Sequence, residues 1–236
     1  MTDDGAGLRH EVLCGPGGRH VRIWASESHR PTAFTSVAGS HPGLAFTRVG
    51  GTTWVTVRGP ETRATQLPVP ADAEFFGVDL RLGAYLRMHP PGGLRDLNDQ
   101  MLSVLPDDRF LLAGEAWQMP TPQNVDVLLD RLARAGVLAF DPAVEDIRHG
   151  EMRGLSARTA QERFTRAVGI SRRTHAAIER AHRAAHLLRR GTPLAAVVYD
   201  AGYYDQPHLT RALRRFVGHT PGEVAAGGLG LDLGPA

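Results

Sequence analysis

The chain has 236 residues, 42% of them hydrophobic, enough to bury a core and to divide into two small domains. No apolar run approaches the roughly 18 residues a spanning helix needs, and the opening MTDDGAGLRHEV lacks the tripartite pattern of a signal peptide; a soluble, cytoplasmic protein with no membrane partner is expected. A single cysteine, Cys14, excludes an intrachain disulfide framework and reads as small apolar filler, while the overall charge of +2 conceals an asymmetry. Residues 1–140 hold 13 Arg against 15 acids, net −2, whereas residues 141–222 hold 14 Arg against 8, net +6. Clustered cations of this kind favour a polyanionic partner, the bland alternative being a solvated helical surface.

Up to about residue 82 the chain is punctuated by Gly and Pro and shows short β-rich runs at His20–Trp24, Thr53–Val57, Arg63–Leu67 and Phe75–Leu80. Turn signals at Gly50-Gly51, Gly59-Pro60 and Pro68–Pro70 separate them, a pattern typical of a small barrel or sandwich. After Pro90-Pro91 the pattern is read as helical. Thr121-Pro122 starts a predicted helix in which Val125, Leu128, Leu129 and Leu132 form one stripe and Gly136 is the stop. That helix is equally a connector or dimer element and an ordinary helix packed on its own β-domain.

From Asp141 onward an internal repeat appears. Ser156 and Asp205, 49 residues apart, are both N-cap types, and beyond them Ala160 matches Leu209, Phe164 matches Leu213, Val168 matches Val217 and Gly169 matches Gly218. Before the second copy, Leu194, Val197, Val198 and Ala201 make the stripe of a short helix ending at Gly202, so that short helix, glycine turn and capped second helix form a helix-turn-helix. Outward positions are Arg158, Gln161, Glu162 and Thr165 in the first copy and His208, Arg211, Arg214 and Arg215 in the second. Arg on guanine, Gln on adenine and Glu on the cytosine amine are the side chains that read base edges in a major groove. A helix from Ser171 to Arg190, with Ile178, Ala181, Ala185 and Leu188 on one seam, would hold the two readers about one DNA turn, roughly 34 Å, apart.

These residues resemble a known family. GLSARTAQERFTRAVGIS (154–171) and especially AGYYDQPHLTRALRRFVGHTPGE (201–223) are similar to the paired helix-turn-helix domain of AraC/XylS transcription regulators. The resemblance covers roughly residues 141–225. It implies base-reading positions at Arg158, Gln161, Glu162, His208, Thr210 and Arg211, phosphate contacts at Arg166, Arg214 and Arg215, and caps and turn at Ser156, Gly202 and Asp205. Two departures stand out: Glu162 where the family usually has a basic residue, and Leu213 where it has an aromatic. Residues 75–88, FFGVDLRLGAYLRM, loosely resemble the end of the family's β-rich sensor region.

The expected fold is therefore α+β: a β-rich sensor domain over 1–120 with flanking helices, a connector helix over 121–140, an all-α double helix-turn-helix domain over 141–226 and a flexible tail over 227–236. Double-stranded DNA is the expected partner. RNA polymerase, a small-molecule effector and a second copy of the chain are further candidates, with activation and repression both open as the regulatory sense. His20, His29, His41 and His89 lack a His-x-His pair and read as surface or loop residues; no metal and no cofactor are expected. Trp24, Trp54 and Trp117 read as core rather than cavity lining. No nucleophile, base and orienting group converge, so no enzyme activity is expected. A DNA-targeted repair enzyme would need a cysteine cluster, and the remaining alternative is a partner-binding scaffold with a degenerate DNA-binding domain.

Overall fold

The computed structural model describes every residue except 1, 4–6, 15–17, 98–99, 152–153, 228–232 and 234–236, and the backbone alone at 2, 3 and 14. Its strands are β1 Thr2–Asp3, β2 Leu8–Cys14, β3 His20–Ser28, β4 Thr32–Ser36, β5 Gly43–Val49, β6 Thr52–Arg58, β7 Thr65–Val69, β8 Ala73–Leu80 and β9 Ala84–Leu86. A 3₁₀ turn at Pro91–Leu94 is followed by β10 Gln100–Leu102, β11 Val104–Leu105, β12 Arg109–Leu112 and β13 Glu115–Gln118. Then come α1 Val125–Arg134, β14 Leu138–Phe140, α2 Ala143–His149, α3 Ala157–Val168, α4 Arg172–Arg189, α5 Leu194–Asp200, α6 Gln206–Phe216 and α7 Pro221–Ala226. The fold is α+β, β-rich first and helical after.

A seven-stranded antiparallel sheet, in the order β1-β2-β3-β8-β5-β6-β10, organises the N-terminal part. The β5–β6 hairpin turns at Gly50-Gly51, whose φ values of 55° and 79° suit a two-residue turn that matches strand twist and that glycine adopts without strain. Alternation sends Leu44, Phe46, Val55, Val57, Val78 and Leu80 into one core. Phe110, Leu112 and Trp117 of the β12–β13 hairpin close over it, and so do Val125, Leu128, Leu129 and Leu132 of α1. The stripe of α1 thus faces the β-domain, and β14 beyond it pairs with β9.

Five readings of this half need correction. The stretch after Pro90-Pro91 is not helical: residues 100–118 form four short strands, tightly turned at Asp107 and Asp108, whose φ values are both positive. The Arg63–Leu67 run lies two residues further on as β7 and includes Pro68, which is tolerated because β7 pairs only with β4. The helix expected from Thr121-Pro122 begins at Val125, after a turn in which Asn124 Oδ1 accepts from the Thr121 N–H at 2.7 Å. Gly136, at φ 71°, ends that helix as expected. Trp117 is a core residue, whereas Trp24 and Trp54 are half-buried. His20 is not a surface residue: it is 2% exposed, with Nδ1 2.9 Å from Asp126. The side chain of Cys14 lies outside the described residues, as does most of the tail, of which Leu233 is buried against the helical core.

The helical part has its own core, built on Phe164, Ile178, Leu209, Leu213 and Phe216, and this core extends onto Ala38 and Leu82 of the β-domain. No described helix is long and apolar enough to cross a membrane.

Candidate nucleic-acid interface

The two repeated helices, α3 and α6, form for the same local reasons. Ser156 Oγ accepts from the Thr159 N–H at 3.1 Å and Asp205 Oδ1 from the His208 N–H at 2.7 Å, each satisfying a backbone donor that the first helical turn leaves open. Ala160, Phe164 and Val168 of α3 and Leu209, Leu213 and Phe216 of α6 are buried, at the spacing that puts them on one face. Gly169 at φ 81° and Gly218 at φ 86° end the two copies in the left-handed region. New helices then start at Ser171, which accepts from the Thr174 N–H, and at Thr220, which forms a reciprocal capping box with Glu223. Those hydrogen bonds from Thr220 hold the Glu223 carboxyl below its ordinary range. The short helix α5 and Gly202, at φ 69°, precede α6 as the turn of a helix-turn-helix.

On α3 the side chains of Arg158, Gln161, Glu162, Thr165 and Arg166 are all exposed. Arg158 Nε donates to Glu162 at 2.8 Å across one helical turn, so the residue that breaks the usual charge pattern partly neutralises its neighbour. On α6, Arg211 and Arg214 are exposed, and none of the ion pairs among the described residues involves them. His208 is half-buried and packs edge-on against Tyr203, with ring centroids 5.1 Å apart. The Thr210 hydroxyl donates to the Gln206 carbonyl at 2.9 Å within its own helix. Arg215 is exposed, lies 5.2 Å over the Phe216 ring and points Nε toward the Thr62 carbonyl at 3.4 Å. Of the six base-reading candidates, Arg211 is thus the exposed cation with no competing engagement, while His208 and Thr210 are committed in part to the fold.

The sequence reading passed over Tyr204. Of the two adjacent tyrosines in the turn, Tyr203 fills the core at 6% exposed, under the Arg180 guanidinium at 5.2 Å, and burial raises its hydroxyl pKa. Tyr204 is 92% exposed one residue before the α6 cap. The signal was present, since one turn has room for one aromatic in the core.

The comparisons agree with this geometry. A family profile described as a helix-turn-helix domain matches residues 151–227. Over residues 151–227 the chain is thus similar to a helix-turn-helix domain. A curated relative, the HTH-type transcriptional regulator RipA of Corynebacterium glutamicum, is 34% identical over 118 residues, which is 48% of this chain and 35% of the relative. The chain therefore spans about a third of that relative's length. No solved structure matches. The helix-turn-helix region is not separate from the β-domain. The Ala38 and Ala64 N–H groups donate to the Phe216 and Arg215 carbonyls, both at 2.8 Å, and so bind the end of α6 to the loops flanking β4 and β7.

Proposed function

We propose that this chain is a sequence-specific transcription regulator that reads double-stranded DNA with α3 and α6, and that its β-domain makes the reading responsive to an effector. The observation that carries the proposal is the paired, capped helix with a polar outer face, present twice 49 residues apart in a segment of net charge +6. In this reading Arg211 contacts a base edge bidentately, while Arg166, Arg214 and Arg215 hold phosphates and set the register. Arg158, Gln161 and Glu162 form the polar face of the first reader. RNA polymerase and a second copy of the chain are the further partners of this reading.

The test is selection from a randomised duplex library with the full-length protein and with Arg211→Ala. The expected result is a motif of two blocks about one helical turn apart, blurred in one block by the substitution. Weak binding without sequence preference, and with little dependence on salt, would instead favour the partner-binding alternative, for which the Arg158–Glu162 pairing across the first reader is the supporting observation.

A further inference from the structure

A cleft of about 820 Å³ opens between the two domains. One wall is the β-domain, at Val21, Arg22, the Val37–His41 segment and Arg58; the other is the end of α2 and one face of α4. Sequence reading assigned α4 the role of a spacer, and its seam of Ile178, Ala181, Ala185 and Leu188 is indeed buried. Away from that seam, His175, Glu179, His182, Arg183, His186 and Arg190 recur at helical spacing and line the cleft.

The charge balance of the lining is uneven. Six arginines face three carboxylates. Two of those carboxylates are committed within the β-wall: Asp79 pairs with Arg22 and lies 3.9 Å from Arg58, and Glu61 lies 3.5 Å from Arg58. Burial works to raise the Asp79 carboxyl, but Arg22 and Arg58 outweigh it and hold it ionised. On the helical wall, Arg148 bonds Glu145 at 2.6 Å and Arg172 donates to the Ile147 carbonyl. Arg183 and Arg190 are exposed to the cleft with no ion pair among the described residues, against Glu179 alone. Between the walls stands His175, 2% exposed, its Nδ1 2.8 Å from Ser40 Oγ and its Nε2 with no hydrogen-bond partner among the described residues. Val21, Val37, Ala38 and Leu233 add apolar lining. The size is that of a small-molecule site, and a few convergent polar groups on a partly apolar wall are what such sites use.

We propose that this cleft binds a small organic anion, a carboxylate or phosphate ester whose head group sits against Arg183 and Arg190 and whose body lies along the β-wall. The inference rests on the regulator reading and names the place and charge of its effector. Because the walls belong to different domains, such a ligand favours the docked arrangement over any in which they part, and couples its own binding to the placement of α3 and α6.

The experiment measures the unfolding midpoint of the full-length protein without DNA. The probes are a panel of mono-, di- and tricarboxylates and sugar phosphates, each against sodium chloride of equal ionic strength. Binding is expected to raise the midpoint by roughly 5–10 °C at a hundredfold excess over Kd. The double variant Arg183→Gln/Arg190→Gln, altered only at exposed positions, is expected to fold and to lose the rise. Whether carboxylates or phosphates give the rise identifies the source. The proposal is overturned if no probe exceeds the salt control, or if the rise survives in the variant. Loss of DNA affinity by the variant with no probe present would equally overturn it, assigning these arginines to the DNA backbone. Absence of a DNA motif with the rise intact would remove the regulator reading and leave the anion site.

Discussion

His175 is positioned to make the stability of the helical domain depend on pH. The imidazole is buried against Phe164, with ring centroids 5.7 Å apart, and bonds Ser40 across the domain boundary. Burial, and after it the neighbouring charges of His41 and Arg148, lowers its pKa from 6.5 to about 4. The folded state therefore binds the proton less well than the unfolded chain. Stability from this group is fully present above pH 6.5 and is lost as pH falls toward 4, at about 1.4 kcal/mol per pH unit inside that window. Between pH 7.5 and pH 5 the loss amounts to about 2 kcal/mol. The assay is urea unfolding followed by far-UV circular dichroism, which weights the helices, since the tryptophans Trp24, Trp54 and Trp117 all lie in the β-domain. His175→Gln keeps a side chain able to bond Ser40 but cannot take up a proton. The variant is expected to be the less stable protein at pH 7.5, with the gap narrowing by about 2 kcal/mol at pH 5. Parallel pH profiles for the two proteins would refute the argument, because other histidines contribute equally to both.

Two further outcomes follow from the reading helices. Arg211→Ala is expected to weaken selected DNA by about 1–3 kcal/mol and random DNA far less, by fluorescence anisotropy; equal losses on both would remove the base contact. Asp205→Ala removes the acceptor for the His208 N–H and is expected to lower thermal stability by about 1 kcal/mol, with the fold preserved in the circular dichroism spectrum.

What could be read from sequence was what local chemistry decides. The Ser156 and Asp205 caps, the Gly169 and Gly218 stops and the apolar spacing between them mark α3 and α6 from residues within or beside each helix. Residues 100–118 failed for the opposite reason: strands of two to four residues have no measurable period, and they exist because β10 pairs with β6 and β12 with β13. The face of α4 along the cleft was illegible in the same way. His175, His182 and His186 look like any polar helix surface until the Val37–His41 segment is laid opposite them. His20 is likewise buried beside a neighbour far from it in sequence, Asp126 of α1.

The repeat also explains how one β-domain can hold both α3 and α6, and glycines separate that role from helix termination. Gly169 and Gly191 have nearly identical backbone, φ 81° and 80°, so an alanine at either carries a similar left-handed strain of roughly 1–2 kcal/mol. Their surroundings differ. A Cβ at Gly191 meets nothing within 4 Å, whereas one at Gly169 would lie 2.6 Å from the Pro91 backbone, which has no flexible end to yield. Gly218 and Gly202 make the second pair: a Cβ at Gly218 meets Thr35 at 3.0 Å and Ala64 at 3.1 Å, and one at Gly202 meets nothing. Gly169→Ala is expected to lower the unfolding midpoint beyond Gly191→Ala, and to increase proteolysis between the domains, by forcing α3 off the Pro91–Leu94 turn. The excess should be smaller for Gly218→Ala over Gly202→Ala, because its contacts, at 3.0 and 3.1 Å, are less tight. Equal losses within each pair would mean that these ends carry only helix termination. Unequal losses would mean that the β-domain grips the two reading helices at equivalent points of the repeat, so that a shift at the docking surface displaces both together.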